Sequence, residues 1–454
     1  MSTSPSPSSS PSSSPMDKES AKSILRRAFS TKPTNLPPPQ PGAHHHHIHS
    51  SFTCIGRGTC GTVWSQPTPP SPALKTSPHI TSLQTDFTLT NAVHNAFIAT
   101  HAILTSIFPT LTTPLVPKCT HFFTPSHRTW WTSIHPLFPP PEAPKPDTSA
   151  AMQMHRIPPL PAQVRTGLIN VYFHPESRRE ASNDPENDDC LVRIYLGATG
   201  RGEKWPGSLR NFEMCLDMAI ELGLDVELIA EEMAISLAVI HWEARNDGMD
   251  AEWVFGGSPG RDWYSEGECA PIGGEVLDER GYMCQQQKET EKPREVDHLP
   301  TTITAYDPKR TMPLMYILDF DKARQIRLDD SCIRLLLGGV TANDPYFPNP
   351  KSSFVELWGG FREAYRVASE VLLRRGGFGG DEGVMGLPGR FLEAWEAWAR
   401  VRDGDGDEDG DLGFEFVGWG KGDEEDWSDE EDEEDEDESW SDQGDALTGS
   451  YKAV

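Results

Sequence analysis

The residues best suited to chemistry begin in the run IGRGTCGTVWSQPTPPSPALK, Ile55 to Lys75. Gly56-x-Gly58-x-x-Gly61-x-Val63 is followed by Ala73-x-Lys75. Glycines at this spacing let a backbone turn fold over a triphosphate and present N–H groups where a Cβ would clash. A lysine on the next strand then offers the phosphates a point charge. Far downstream, Asp319-Phe320-Asp321 follows the apolar run Leu314 to Leu318. A carboxylate in that position is suited to holding Mg²⁺ between phosphates. Between them, Glu243, Asp247 and Asp250 follow His241 and are the candidate catalytic acids. ATP and Mg²⁺ are therefore the expected ligands, with Gly56, Gly58, Gly61, Val63 and Lys75 on the nucleotide and Asp319 on the metal. The competing reading of the glycine run is a β-hairpin with a pliant tip.

Elements to position these residues can be read around them. Ser51 to Lys75 reads as three strands, with Pro67 to Pro72 as a loop. Thr81 to Phe108 carries Leu83, Phe87, Val93, Phe97, Ala102 and Leu104 near helical spacing. Asp86 is its only acid, and Asn91 stands where a longer acid would suit a partner for Lys75. Leu168 to Phe173 and Leu191 to Leu196 read as strands, the second closing an amino-terminal β-rich part. Leu209 to Trp242 reads as a long helix in one or two pieces, broken at Gly223 and capped again by Asp225. Further helices are expected over Ser353 to Arg374 and Pro388 to Val401, with Phe391, Leu392, Trp395 and Trp398 in the core.

Set in order, these parts resemble a protein kinase: glycine loop, strand lysine, catalytic loop, and an acid at the place of Asp-Phe-Gly. The departures are specific. The helix glutamate is missing. His241-Trp242-Glu243 stands for His-Arg-Asp, and Gly248 occupies the place of the metal-binding asparagine. Asp321 replaces the hinge glycine, and no Ala-Pro-Glu closes an activation segment. The set IHWEARNDGMDAEWVFGG (240–257), MYILDFDKAR (315–324), NDPYFPNP (343–350) and PPLPAQVRTGLINVYF (158–173) resembles an uncharacterised family of fungal proteins. Its members are known as a domain of unknown function and sometimes labelled zinc-finger proteins. That family looks like a remote kinase relative, and the resemblance implies no established activity. The zinc label meets no ligand spacing here.

Composition bounds the rest. The chain has 454 residues and a net charge of −29, and 23 acids between Asp403 and Asp445 face the single Lys421. The acidity thus belongs to a tail, and no basic face tracks a phosphate backbone, which argues against nucleic acid as a partner. Eight cysteines, none in a C-x-x-C pair, read as reduced thiols of the cytoplasm or nucleus. No apolar run is long enough to span a membrane. The His44 to His47 run reads as a solvated tract. Aromatics within the tail, Phe414, Trp427 and Trp440, suit basic partners, and Ser428 and Ser439 suit an acidophilic kinase.

The expected architecture is α+β and kinase-like with two lobes. It has a disordered Ser/Pro-rich segment at 1–50, a β-rich part at 51–200 and a helical part at 201–402. A disordered insert at 256–311 and a disordered acidic tail at 403–454 complete it. The expected function is that of a catalytically impaired pseudokinase binding nucleotide or acting as a scaffold for a protein partner. The alternatives are an active phosphotransferase with a divergent catalytic loop and a nuclear adaptor working through its tail.

Overall fold

The computed structural model describes residues 17–29, 51–66, 71–110, 112–200, 207–259, 313–350 and 354–402. The expected insert falls almost wholly outside these residues, as do the acidic tail and the histidine run. The chain divides into two units, Met1–Asp405 and Gly406–Val454. All the described residues belong to the first, which is mixed α+β.

Helix α1, Lys18–Ala28, corrects the reading of 1–50 as wholly disordered. Asp17 caps it by accepting from Ser20 N, and Ala21 and Leu25 are fully buried. Leu25 packs on Gly167, where a Cβ would come within 2.8 Å of its Cδ2. An amphipathic turn and a good cap outweigh the Ser/Pro surroundings.

The first sheet has the order β1-β2-β3-β5-β4 and is antiparallel throughout. Its strands are β1 (Thr53–Gly58), β2 (Gly61–Ser65), β3 (Ala73–Ser77), β4 (Cys119–Phe123) and β5 (Ala150–Met154). Helix α2, Ile80–Ile107, connects β3 to β4 and contains neither glycine nor proline. At 28 residues it runs about 42 Å. Leu83, near its start, packs with Cys119, Ala150 and Met152, while Phe97 and Leu104, further along, join the main core. Trp130 and Trp131 on α3 (Arg128–Ile134) close a smaller core with Trp64 and Leu74.

The second sheet has the order β7-β6-β8-β9, with β6 (Val192–Tyr195), β7 (Phe212–Cys215), β8 (Glu252–Gly256) and β9 (Leu314–Leu318). Three expectations are corrected here. Leu168 to Tyr172 lies in helix α4, Ala162–Tyr172, with Phe173 its C-cap, because Val164, Leu168 and Val171 fall on one helical face behind Pro161. Leu209 to Cys215 is not helical but leads into β7, which pairs parallel to β6. And β6 belongs to this sheet, not to the end of the first one.

Helices α5 (Arg178–Asn183), α6 (Leu216–Glu221) and α7 (Val226–Ala238) follow in chain order around these strands. The break at Gly223 (φ +66°) and the Asp225 cap on Leu228 N stand as the sequence indicated. Beyond β9 come α8 (Ser331–Ala342), α9 (Val355–Arg375), α10 (Glu382–Met385) and α11 (Leu387–Arg402). Phe361, Tyr365, Phe391 and Trp395 meet edge to face or tilted in their core. Trp398 is only partly buried against it.

Candidate functional site

Every residue of β3 is buried, Lys75 included, so its ammonium must find partners inside the protein. It finds two carboxylates, Asp86 Oδ2 at 2.6 Å and Asp319 Oδ1 at 2.8 Å. Burial alone would push the ammonium's pKa down; the two carboxylates outweigh it and hold it above the ordinary range. Asp86 is the acid that sequence reasoning passed over. It sits near the start of α2, and its Oδ1 accepts from Thr90 Oγ1 (2.9 Å) and Phe320 N (3.1 Å). One carboxylate thereby ties β3, α2 and the segment after β9 together. Asn91, where the sequence pattern places a longer acid, instead exchanges two hydrogen bonds with the Cys119 backbone.

Asp319 leaves β9 in the left-handed region, φ +68°, a conformation that a short polar side chain tolerates better than most. Burial pushes its carboxyl up, against the pull of Lys75, and the Asp86 and Asp321 charges push the same way. Phe320, fully buried, anchors the turn between the two aspartates. Asp321 is 6% exposed, and neither of its carboxylate oxygens accepts a hydrogen bond from any described residue.

Above these groups lies the glycine hairpin. Gly58 pairs with Gly61, and Val63 lies opposite both Gly56 and Lys75. Gly61 is required by packing: its φ is +148°, and a Cβ there would come within 2.4 Å of Thr76 O. Gly58 faces open space, so nothing in the fold demands it. At the turn, the Cys60 thiol faces Asp321; burial, then that carboxylate, push its pKa up. The expected nucleotide and metal residues Gly56, Gly58, Gly61, Val63, Lys75 and Asp319 are thus gathered in one region.

Of the candidate catalytic acids, Glu243 and Asp247 are engaged elsewhere, while Asp250 lies beside Lys322, next to Asp321 in sequence. The helix α7 ends in a wide π-type turn, Val239–Glu243. There Glu243 pairs with Arg375 Nη1 at 2.6 Å. His241 is fully buried with Nδ1 2.8 Å from Tyr365 Oη, and burial lowers its pKa to about 3. Asp247 is also fully buried, and both oxygens are engaged: Oδ1 by Arg324 N (2.8 Å) and Met249 N (3.2 Å), Oδ2 by Arg324 Nε (2.8 Å). It clamps the segment after Asp321. Asp250, φ +65°, is the more accessible acid and pairs with Lys322 Nζ at 2.9 Å. Its backbone N donates to Asn343 Oδ1. Glu252, on β8, pairs with Arg193 at 2.5 Å; burial raises its pKa while Arg193 pulls it down.

Among the described residues no group of three or more His, Cys, Asp or Glu is arranged to hold a metal ion. No disulfide joins the described cysteines, and no described helix is long and apolar enough to cross a membrane. Residues 315–377 match the model of a domain-of-unknown-function family described as "Zinc finger protein". That stretch begins within β9 and includes Asp319 and Asp321, but its only cysteine is Cys332 and it has no histidine, so it contains no zinc-ligand set of the usual kind. No curated protein and no solved structure matches the chain.

Proposed function

We propose that the chain is a kinase-like pseudokinase, a nucleotide-binding module impaired in phosphoryl transfer. The observation that carries this reading is Lys75 held between Asp86 and Asp319 beneath the glycine hairpin. The sequence order supports it too: hairpin, lysine strand, acid-bearing helix, and an acid after a buried strand are the parts that grip a triphosphate and its metal in kinases. Asp86 takes the role of the helix glutamate one methylene shorter. Lys75 suits phosphate oxygens, and Asp319 with the unengaged Asp321 suits Mg²⁺, which when bound would neutralise phosphate charge.

Impairment follows from the acids. Phosphoryl transfer depends almost wholly on positioning and charge stabilisation. Glu243 and Asp247 are both bonded elsewhere and orient no incoming hydroxyl. The test is a melting titration with ATP and Mg²⁺. Ligand at ten times Kd adds about 1.4 kcal/mol, so wild type is expected to melt a few degrees higher and Asp319→Asn to lose that gain. No shift in wild type would leave a scaffold for protein partners, without the nucleotide.

The partly exposed carboxylate of Asp250, beside Lys322, favours one alternative, an active phosphotransferase with a displaced base. ATP turnover that disappears in Asp250→Asn would establish it; turnover absent from wild type would dismiss it. The adaptor reading places its chemistry in the tail, outside the described residues.

A further inference from the structure

We propose that Glu232 and the apolar cavity it lines form a binding site for a primary ammonium group on an alkyl stem. That is the chemistry of a lysine side chain or of a small free alkylamine. The site shares no residue with the nucleotide reading and does not depend on it.

The first observation is the cavity and the acid that borders it. Glu232, on α7, is 8% exposed. Its Oε1 accepts from Thr112 N at 2.8 Å, and among the described residues nothing donates to Oε2. A carboxyl desolvated in this way ionises only when a cation joins it. The cavity measures about 10 Å³, room for the centre of one water-sized group. An ammonium is that compact, whereas a planar guanidinium is not. Leu104 and Phe108 of α2 and Ile235 of α7 wall the cavity and suit the methylenes behind the charge. The rim residues Thr105, Thr112 and Thr113 are half-exposed, so the ammonium's other N–H groups keep water.

The second observation is a missing counter-charge. The cavity is lined by α2, α7 and residues of the segment 108–114, and none of the three contains a lysine or an arginine. The charged groups acting on Glu232 are Asp225 and Glu231, both acids. No charged side chain of α6, α9 or the π-type turn, which also pack on α7, acts on it. From α2 the titratable group near the rim is His101, with Nδ1 3.4 Å from Thr113 Oγ1; burial lowers its pKa, so it brings no charge at neutral pH. The cation that this carboxyl needs must therefore come from outside the elements around it.

The proton supplies the balance. Burial pushes the carboxyl up to about 8 against the pull of Thr112 N, and Asp225 and Glu231 add to the rise. An arriving R–NH₃⁺ takes the place of the acid proton: COOH and R–NH₃⁺ give the pair COO⁻ with R–NH₃⁺, and H⁺ leaves to solvent. Binding competes with protonation and tightens as pH climbs towards 8.

The experiment is calorimetric titration of the full chain with n-butylammonium chloride at pH 6, 7 and 8, in two buffers of different ionisation enthalpy. Wild type is compared with Glu232→Gln and with Glu227→Gln, which removes an exposed acid from the start of the same helix. The acidic tail contributes the same weak background to all three. Wild type and Glu227→Gln are expected to bind one butylammonium above it, about tenfold tighter for each pH unit up to 8. About one proton is expected to leave per amine bound at pH 6. Glu232→Gln is expected to show the background alone. Tetramethylammonium and guanidinium, too large for the cavity, are expected to do the same in wild type, a comparison that needs no variant to fold. Equal binding by wild type and Glu232→Gln, equal binding of tetramethylammonium, an affinity independent of pH, or background alone at every pH overturns the site. A pentapeptide with a central lysine, set against its N-acetyllysine counterpart, separates the two sources. Binding lost on acetylation assigns the site to a lysine of a protein partner, and binding of butylammonium without the peptide assigns it to a free amine.

Discussion

Two aspartates share one lysine, and they are not equivalent. Asp86 is 2% exposed and holds Thr90 Oγ1 and Phe320 N as well as Lys75, whereas Asp319 is about a quarter exposed and takes Lys75 alone among the bonds described. Removing one partner of a buried ion pair costs about 3–5 kcal/mol, because the other charge and its donors stay desolvated. Asp86→Ala is therefore expected to lower stability by that amount in urea unfolding at neutral pH. Asp319→Asn leaves Lys75 with Asp86 and relieves a carboxyl that burial disfavours, so its change is expected within about 1 kcal/mol. Equal losses from the two would contradict this ranking. Lys75 and Asp319 were legible in the sequence because each sits in a local motif. Asp86 was not, because its pairing with Lys75 depends on how α2 lies over β3, and a kinase-like pattern carries a glutamate there. Asp321 was visible only as a glycine replaced; its burial and lack of a partner are properties of the fold.

At the scale of elements, the long helices were the readable part: α2, α9 and α11 carry buried stripes over many turns, and α7 is apolar and buried almost all round from Ile229 to Ala238. Short elements were not. β7 is four residues long and runs straight into α6, so its apolar residues merged with the helical pattern. The end of α4, Leu168 to Tyr172, and its cap Phe173 are rich in β-branched and aromatic residues and imitate a strand. Helical glycines show what sequence leaves undetermined. Gly339 on α8 lies against the Asp247 backbone, where a Cβ would stand 2.3 Å from the carbonyl oxygen. Gly359 on α9 meets nothing within 4 Å. Gly339→Ala must push α8 off the loop that carries Asp247 and is expected to cost about 1–3 kcal/mol. Gly359→Ala adds only helix propensity and is expected to gain about 0.5–1 kcal/mol. Chemical unfolding of the two variants should therefore move in opposite directions, and a gain from Gly339→Ala as well would show that α8 does not make this close approach.

For the molecule as a whole, composition foretold where the charge lies but hid α1, whose eleven residues interrupt a Ser/Pro tract. The buried titratable groups set a dependence on pH that composition could not show. Burial pushes the Glu232 carboxyl on α7 up to about 8, with Asp225 and Glu231 adding repulsion; its hydrogen bond from Thr112 N (2.8 Å) opposes the rise. Leu104, Phe108 and Ile235 line the small cavity that Glu232 also borders. Burial holds His241 and His155 neutral, down to about 3 and 4. Below about pH 6.5 the unfolded chain takes up protons that these folded histidines refuse, so their contribution rises with pH and levels off there. Glu232 acts in the opposite sense. Its folded pKa is raised, so the folded state holds a proton that the unfolded chain releases above about 4.5, and stability falls as pH climbs from there to about 8. One proton of difference is worth about 1.4 kcal/mol per pH unit. Glu232→Gln keeps an acceptor for Thr112 N and removes the titration. The stability difference between this variant and wild type, from urea unfolding at pH 5.5, 6.5 and 7.5, is expected to grow in favour of the variant by roughly that amount at each step. A difference that stays flat across the series would mean that Glu232 reaches water in the folded protein and ionises as an ordinary surface acid does.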